Sequence, residues 1–150
     1  MNESHLFSKR TLARKLACDI LYQMDLTGED IDKVYKSYNS MLTEGVEESG
    51  IPPGDIPEFT RELVLQYLDR REEIDGLIGS YADRWSLQRM PMVDRNLLRL
   101  GFTELLYIED IPTNVTINEY LELAKTFSTE DSGKFINGVM GKLVKEEGLD

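Results

Sequence analysis

Between Val93 and Ile108 the apolar residues Val93, Leu97, Leu98, Leu100, Phe102, Leu105, Leu106 and Ile108 fall on almost every side of a helical wheel. A helix that is apolar nearly all round must be enclosed by other elements, so this segment is expected at the centre of a helical bundle. Met90-Pro91 precedes it and Ile111-Pro112 breaks it, which sets its expected span at about Val93 to Glu109. The rest of the chain has to supply the enclosing helices. Its apolar spacing is helical nearly everywhere, with no sustained strand alternation and no Asn-Gly or Asp-Gly hairpin between such runs.

A first helix is expected after Ser8, a residue suited to capping, and runs to about Asp25 before Thr27-Gly28 ends it. Leu12, Leu16, Ile20 and Met24 mark its buried face. Arg10 and Arg14 lie about 160–200° from that stripe at 100° per residue and are expected in solvent. A second helix spans Ile31 to Thr43, with Ile31, Val34, Tyr35, Tyr38 and Leu42 apolar. The stretch Gly45 to Pro57, with Gly50-Ile51-Pro52-Pro53-Gly54, is the strongest loop signal. Pro57 suits the first position of a third helix carrying Phe59, Leu63, Leu65 and Leu68. A fourth runs from about Arg71 to Ala82 through Ile74, Leu77, Ile78 and Tyr81.

After the central helix, Thr116-Ile117-Asn118-Glu119 has the spacing of a capping box, and Val115 and Tyr120 that of a hydrophobic staple. This helix continues through Leu121 and Ala124 to Phe127. The last begins near Ser128-Thr129-Glu130-Asp131, with acids at the positive end of the helix dipole. Phe135, Val139, Met140 and Leu143 are its core stripe. Gly138 and Gly141 within it cost about 1 kcal/mol each relative to alanine, which predicts close approach of a neighbour. The sum is an all-α chain of about seven helices in one domain. A junction near Trp85 to Pro91 divides an N-terminal bundle, about 1–85, from a C-terminal one, about 86–150.

Chemistry is limited by what is scarce. The chain has one cysteine, Cys18, and one histidine, His5, too few for an internal disulfide or a structural zinc site. Cys18 falls within two positions of the first helix's buried face and reads as a small core side chain. A Ser/His/Asp or Cys/His site would have to use His5 near the chain start. The acid pairs Glu119/Glu122 and Glu130/Asp131 suit a helix cap, a solvated face and a helix N-terminus better than a metal. No catalytic residue, metal or cofactor is expected. The N-terminus lacks a signal-peptide pattern, and no stretch approaches the roughly 18 apolar residues of a membrane span, so the expected compartment is the cytoplasm.

The net charge of −11 argues against nucleic acid when taken as a sum. Its distribution argues otherwise. From Leu6 to Cys18, Lys9, Arg10, Arg14 and Lys15 stand with no acid among them, while acids concentrate between Asp30 and Glu62. Exposed charges more than about 8 Å apart are largely screened at physiological salt, so a local basic edge can act on an acidic protein. Single-stranded RNA is held by phosphate contacts and base–aromatic stacks, and Phe127, ending a helix near Lys125, is the candidate aromatic.

Several blocks resemble one family. Val93-Asp94-Arg95-Asn96-Leu97-Leu98-Arg99-Leu100 and Glu104-Leu105-Leu106-Tyr107 are similar to the central helix of the NusB family. Asp110-Ile111-Pro112, Ile117-Asn118-Glu119, Glu122-Leu123-Ala124-Lys125 and Phe127 follow in that family's order. Thr129 to Val139, reading TEDSGKFINGV, resembles its C-terminal signature, and Ala13-Arg14, Ala17 and Leu21-Tyr22-Gln23 resemble its first helix. The resemblance spans nearly the whole chain and is densest from Val93 to Val139; about Asp25 to Asp83 is diverged.

The resemblance implies two roughly perpendicular three-helix bundles plus an extra helix. It implies binding of boxA-type single-stranded RNA of ribosomal RNA leaders as a heterodimer with NusE. With other Nus factors and RNA polymerase, that complex carries transcription past terminators. It also implies RNA contacts at Arg10, Arg14 and Phe127, with Lys9, Lys15 and Lys125 adjacent, and a partner or functional surface at Tyr22. Some family members self-associate, so a homodimer is among the assemblies it allows. One departure is that Thr11 and Leu12 interrupt the arginine cluster. With about four basic contacts the expected slope of log affinity against log salt is only about −3, which predicts weak RNA binding without the partner.

Three other readings stay open. NusB-like domains also precede rRNA cytosine methyltransferase domains, and none is expected after Asp150. A helical protein-interaction adaptor would suit the acidic balance. An acid-based metal hydrolase is the weakest of the three.

Overall fold

A computed structural model of the chain describes residues 8–43, 55–82 and 85–149. They form α1 (Lys9–Thr27), α2 (Ile31–Thr43), α3 (Glu58–Asp69), α4 (Arg71–Tyr81), α5 (Met92–Tyr107), α6 (Thr113–Phe127) and α7 (Glu130–Glu146), with a 3₁₀ turn at Leu87–Arg89. The fold is all-α, and among the described residues there is no strand. His5 and the Gly45–Gly54 part of the expected loop lie outside the described residues. The chain forms two compact units, residues 1–64 and 65–150, with the division inside α3.

In the first unit Ser8 caps α1, its Oγ accepting from the Thr11 amide at 3.1 Å. Gly28 ends the helix in the left-handed region, φ 73°, where a Cβ would be strained, and its N–H bonds Met24 O at 2.9 Å. Burial on α1 covers Thr11, Ala13, Arg14, Leu16, Ala17, Cys18, Ile20 and Leu21, so the helix hides two faces and not one. α2 packs on α1 with Val34 and Leu42 buried. Pro57 lies one residue outside α3: its carbonyl accepts from the Arg61 amide at 3.1 Å, the role of a cap rather than of a first helical residue. Thr60 Oγ1 donates to Ala13 O at 2.8 Å and ties α3 to α1.

Along α3 the buried positions are Thr60, Leu63, Val64 and Tyr67, spaced three and four apart. Leu65, one of the apolar residues the helix carries, falls about 100° off the edge of that stripe and is exposed. In the second unit α5 is central, with α4, α6 and α7 packed around it. Leu97, Leu98, Leu100 and Phe102 are buried on it, and so are Asp94, Asn96, Arg99, Thr103 and Glu104. Buried polar groups must find partners. Arg99 grips Asp75 of α4 through Nε and Nη2, both at 3.0 Å, and donates from Nη1 to Asn96 Oδ1 at 3.1 Å. Tyr67 OH donates to Asp75 Oδ1 at 2.9 Å. Burial pushes the Tyr67 phenol well above its ordinary range; Arg99 opposes that shift and Asp75 reinforces it.

Three expectations for the second unit are overturned. α6 begins at Thr113 with Pro112 as its cap, so Thr116 lies inside the first turn and no capping box forms there. The Thr116 hydroxyl donates instead to Glu104 Oε2 at 2.9 Å, and Tyr120 OH donates to Glu104 Oε1 at 2.9 Å. Val115 is 42% exposed and makes no staple over the buried Tyr120. The close approach is at Gly101, where a Cβ would overlap the Met140 methyl and lie 3.2 Å from its Sδ. A Cβ at Gly138 or Gly141 would meet open space.

Candidate nucleic-acid interface

Four candidate residues sit on the first turns of α1. Lys9 and Arg10 are exposed. The Arg10 guanidinium lies 4.4 Å from the centroid of the Phe59 ring of α3, a cation–π distance. Arg14 is only 2% exposed, against the expectation that it points to solvent. It belongs to the second buried face of α1, with Ala17, Cys18 and Leu21, and its guanidinium is 5.3 Å from the same Phe59 ring. Lys15 is half-buried, with Nζ 2.6 Å from Asp19 Oδ1 one turn on. Burial raises the Asp19 carboxyl above its usual range, and the nearby Lys15 opposes the shift. Of the four cations, Lys9 and Arg10 therefore present themselves to solvent, Arg14 is buried and Lys15 is ion-paired. Tyr22 is exposed farther along α1, with exposed Leu26 one turn beyond.

Lys125 and Phe127 lie in the second unit at the end of α6. Phe127 is 44% exposed. Lys125 is exposed, with Nζ 3.9 Å from Glu122 Oε1. The segment after Phe127 is held firmly. Ser128, with φ −131° and ψ −119°, leaves the helix while its N–H still bonds Ala124 O at 2.8 Å. Its hydroxyl donates to Asp94 Oδ1 at 2.8 Å. Thr129 caps α7 by accepting from the Ser132 amide at 3.0 Å, and the Ser132 hydroxyl donates to Asp94 Oδ2 at 2.7 Å. One fully buried carboxylate on the first turn of α5 thus receives one hydroxyl from the α6–α7 link and one from the first turn of α7. An acid there also suits the positive end of the α5 dipole. Asp94 and Ser132 are singled out only by the resemblance, and Ser128 only by the polar start of the last helix; their contact joins positions 34 and 38 residues apart, which no local pattern reveals.

A second aromatic surface has no local signal either. Trp85 meets Phe135 edge-on with centroids 5.1 Å apart. With Tyr81, Lys134 and Lys142 they line an open groove of about 510 Å³. Phe135, counted as core by spacing, is half-buried at its wall.

An all-helical chain that presents cations at a capped helix start and a pinned, exposed aromatic beside a lysine has the make-up of a helical binding protein. The family model for the NusB family matches residues 11–145. The transcription antitermination protein NusB of Bacillus mycoides is 44% identical over 135 residues, 90% of this chain and 96% of that protein. That of Desulfitobacterium hafniense is 44% identical over 136 residues, 91% of this chain and 88% of its own. The chain belongs to the NusB family. Among solved structures, Thermotoga maritima NusB superposes with a TM-score of 0.75 at 35% identity, over 93% of this chain and 92% of that one. A structure of antitermination factors NusB and NusE in complex with dsRNA gives 0.75 at 34%, over 91% and 96%.

Proposed function

We propose that this chain is a transcription antitermination factor. It binds boxA-type single-stranded RNA of ribosomal RNA leaders as a heterodimer with NusE, and the complex works with other Nus factors and RNA polymerase. The observation that carries the proposal is Phe127, an aromatic left 44% exposed at a helix end that is otherwise tightly bonded, in a chain whose relatives are antitermination proteins. An exposed ring held in place offers a stacking platform for a base, and Lys125 supplies charge beside it. On α1, Lys9 and Arg10 are the phosphate contacts, and Arg14 supports them by packing under Phe59. Tyr22 and Leu26 form an apolar strip suited to a protein partner. The chain works by binding and not by catalysis, needs no cofactor, and acts in the cytoplasm.

Two observations give the adaptor reading its support: Arg14 is buried and Lys15 is ion-paired, so the basic edge is smaller than its sequence. Titration of a boxA-like oligoribonucleotide and a scrambled one, with and without NusE, separates the two. NusE is expected to strengthen binding to boxA selectively. Failure of both RNAs to bind under either condition would leave a helical adaptor.

A further inference from the structure

We infer that Asp94 is a positioning residue for RNA binding, acting through Phe127. This rests on the reading of Phe127 as a stacking residue. The link between α6 and α7 is only Ser128 and Thr129. Phe127 is the last residue of α6, so the direction of its ring depends on how the chain turns at Ser128. That turn is set by a side chain on a third helix. Asp94 Oδ1 accepts from Ser128 Oγ at 2.8 Å, and Oδ2 accepts from Ser132 Oγ at 2.7 Å. The two hydroxyls also lie 3.0 Å from each other, and Thr129 Oγ1 donates to Ser132 Oγ at 3.0 Å, which closes a small network.

One carboxylate oxygen holds the start of the link at Ser128 and the other holds the first turn of α7 at Ser132, so the group works as a two-point clamp. Charge-assisted hydrogen bonds of this kind are shorter and stronger than neutral ones. Asp94 is fully buried, so water does not compete for either oxygen. An aromatic on a loose helix end would have to be ordered when a base stacks on it, and that cost would be subtracted from affinity. Holding Ser128 before RNA arrives removes the cost. The clamp touches no nucleic acid itself and acts only by keeping the Phe127 ring where a base can meet it.

The test is a double-mutant cycle in the full chain, read as affinity for a boxA-like single-stranded oligoribonucleotide in the presence of NusE, with the thermal midpoint recorded for each variant. Phe127→Ala is expected to weaken binding roughly 5- to 150-fold, the range for loss of one base–aromatic stack. Asp94→Ala is expected to lose a substantial part of the same factor. The double variant is expected to bind about as well as Phe127→Ala alone, because residues that act as a unit are not additive. Asp94→Asn keeps the shape and can still face both hydroxyls, so it is expected to recover most of the affinity. Ser128→Ala, which opens one arm of the clamp, gives the same comparison if Asp94→Ala does not fold. Multiplicative losses in the double variant, or unchanged affinity in folded Asp94→Ala or Ser128→Ala, would overturn the inference and leave the RNA reading standing. No effect of Phe127→Ala would remove the stacking role and the inference with it.

Discussion

The salt dependence of RNA binding measures how many α1 cations meet phosphate. On single-stranded RNA each contact contributes about −0.7 to the slope of log affinity against log salt. If all four cations took part, the α1 share would be about −2.8; with only exposed Lys9 and Arg10 it falls to about −1.4. Between about 50 and 200 mM salt the first value means a loss of roughly fiftyfold, and the second roughly sevenfold. Fluorescence titration of a labelled boxA-like oligomer at several salt concentrations gives the slope directly. The comparison between variants is sharper than the absolute value. Arg10→Ala should flatten the slope by about 0.7. Arg14→Ala should leave it nearly unchanged and lower thermal stability, because a side chain 2% exposed against Phe59 is packed and not solvated. Asp19→Asn, which removes the partner 2.6 Å from Lys15, should steepen the slope by up to about 0.7. An Arg14→Ala variant that flattens the slope as much as Arg10→Ala would refute this reasoning, since Arg14 would then have to swing out to the phosphates.

Three further outcomes follow from packing and titration. Glu104→Ala strands two buried hydroxyls and should cost about 3–5 kcal/mol, against about 1–3 kcal/mol for Thr116→Val; urea denaturation should rank them in that order. Val115→Ser should change stability by less than about 0.5 kcal/mol in the same assay, because no staple exists to break. Burial, with Asp19 and Cys18 nearby, raises the Tyr38 phenol from its ordinary 10.0 to about 12. A raised phenol stabilises the fold fully below pH 10 and loses that contribution as pH rises toward about 12, so thermal midpoints should fall across this window and fall less in Tyr38→Phe.

Features written in adjacent residues are legible in the sequence. α2 spans Ile31–Thr43 as its spacing predicts, and Ser8, Gly28 and Thr129 cap where their types suggest. What is not legible depends on partners supplied by tertiary structure. Thr116 has the right spacing to cap, but Pro112 starts α6 earlier and Glu104, twelve residues back, takes the hydroxyl. Arg14 looks solvated if α1 has one buried face; the second appears once Phe59 of α3 lies over it. The candidate site divides in the same way. The residue types at Lys9, Arg10, Lys125 and Phe127 are readable as basic and aromatic, and they are exposed. The clamp that holds the end of α6 joins distant positions and leaves no periodic trace.

Surface loops are where related chains ordinarily gain and lose residues. The α6–α7 link should be an exception. Its two residues are fully engaged, Ser128 by Asp94 and Thr129 by the Ser132 amide. One inserted residue would pull Ser128 or Ser132 off the carboxylate or unwind a helical turn to absorb the slack. The number of residues between Phe127 and Ser132 is therefore held more tightly than in an ordinary surface link. The constraint is one of length, and it should show in a set of homologues as a segment without gaps.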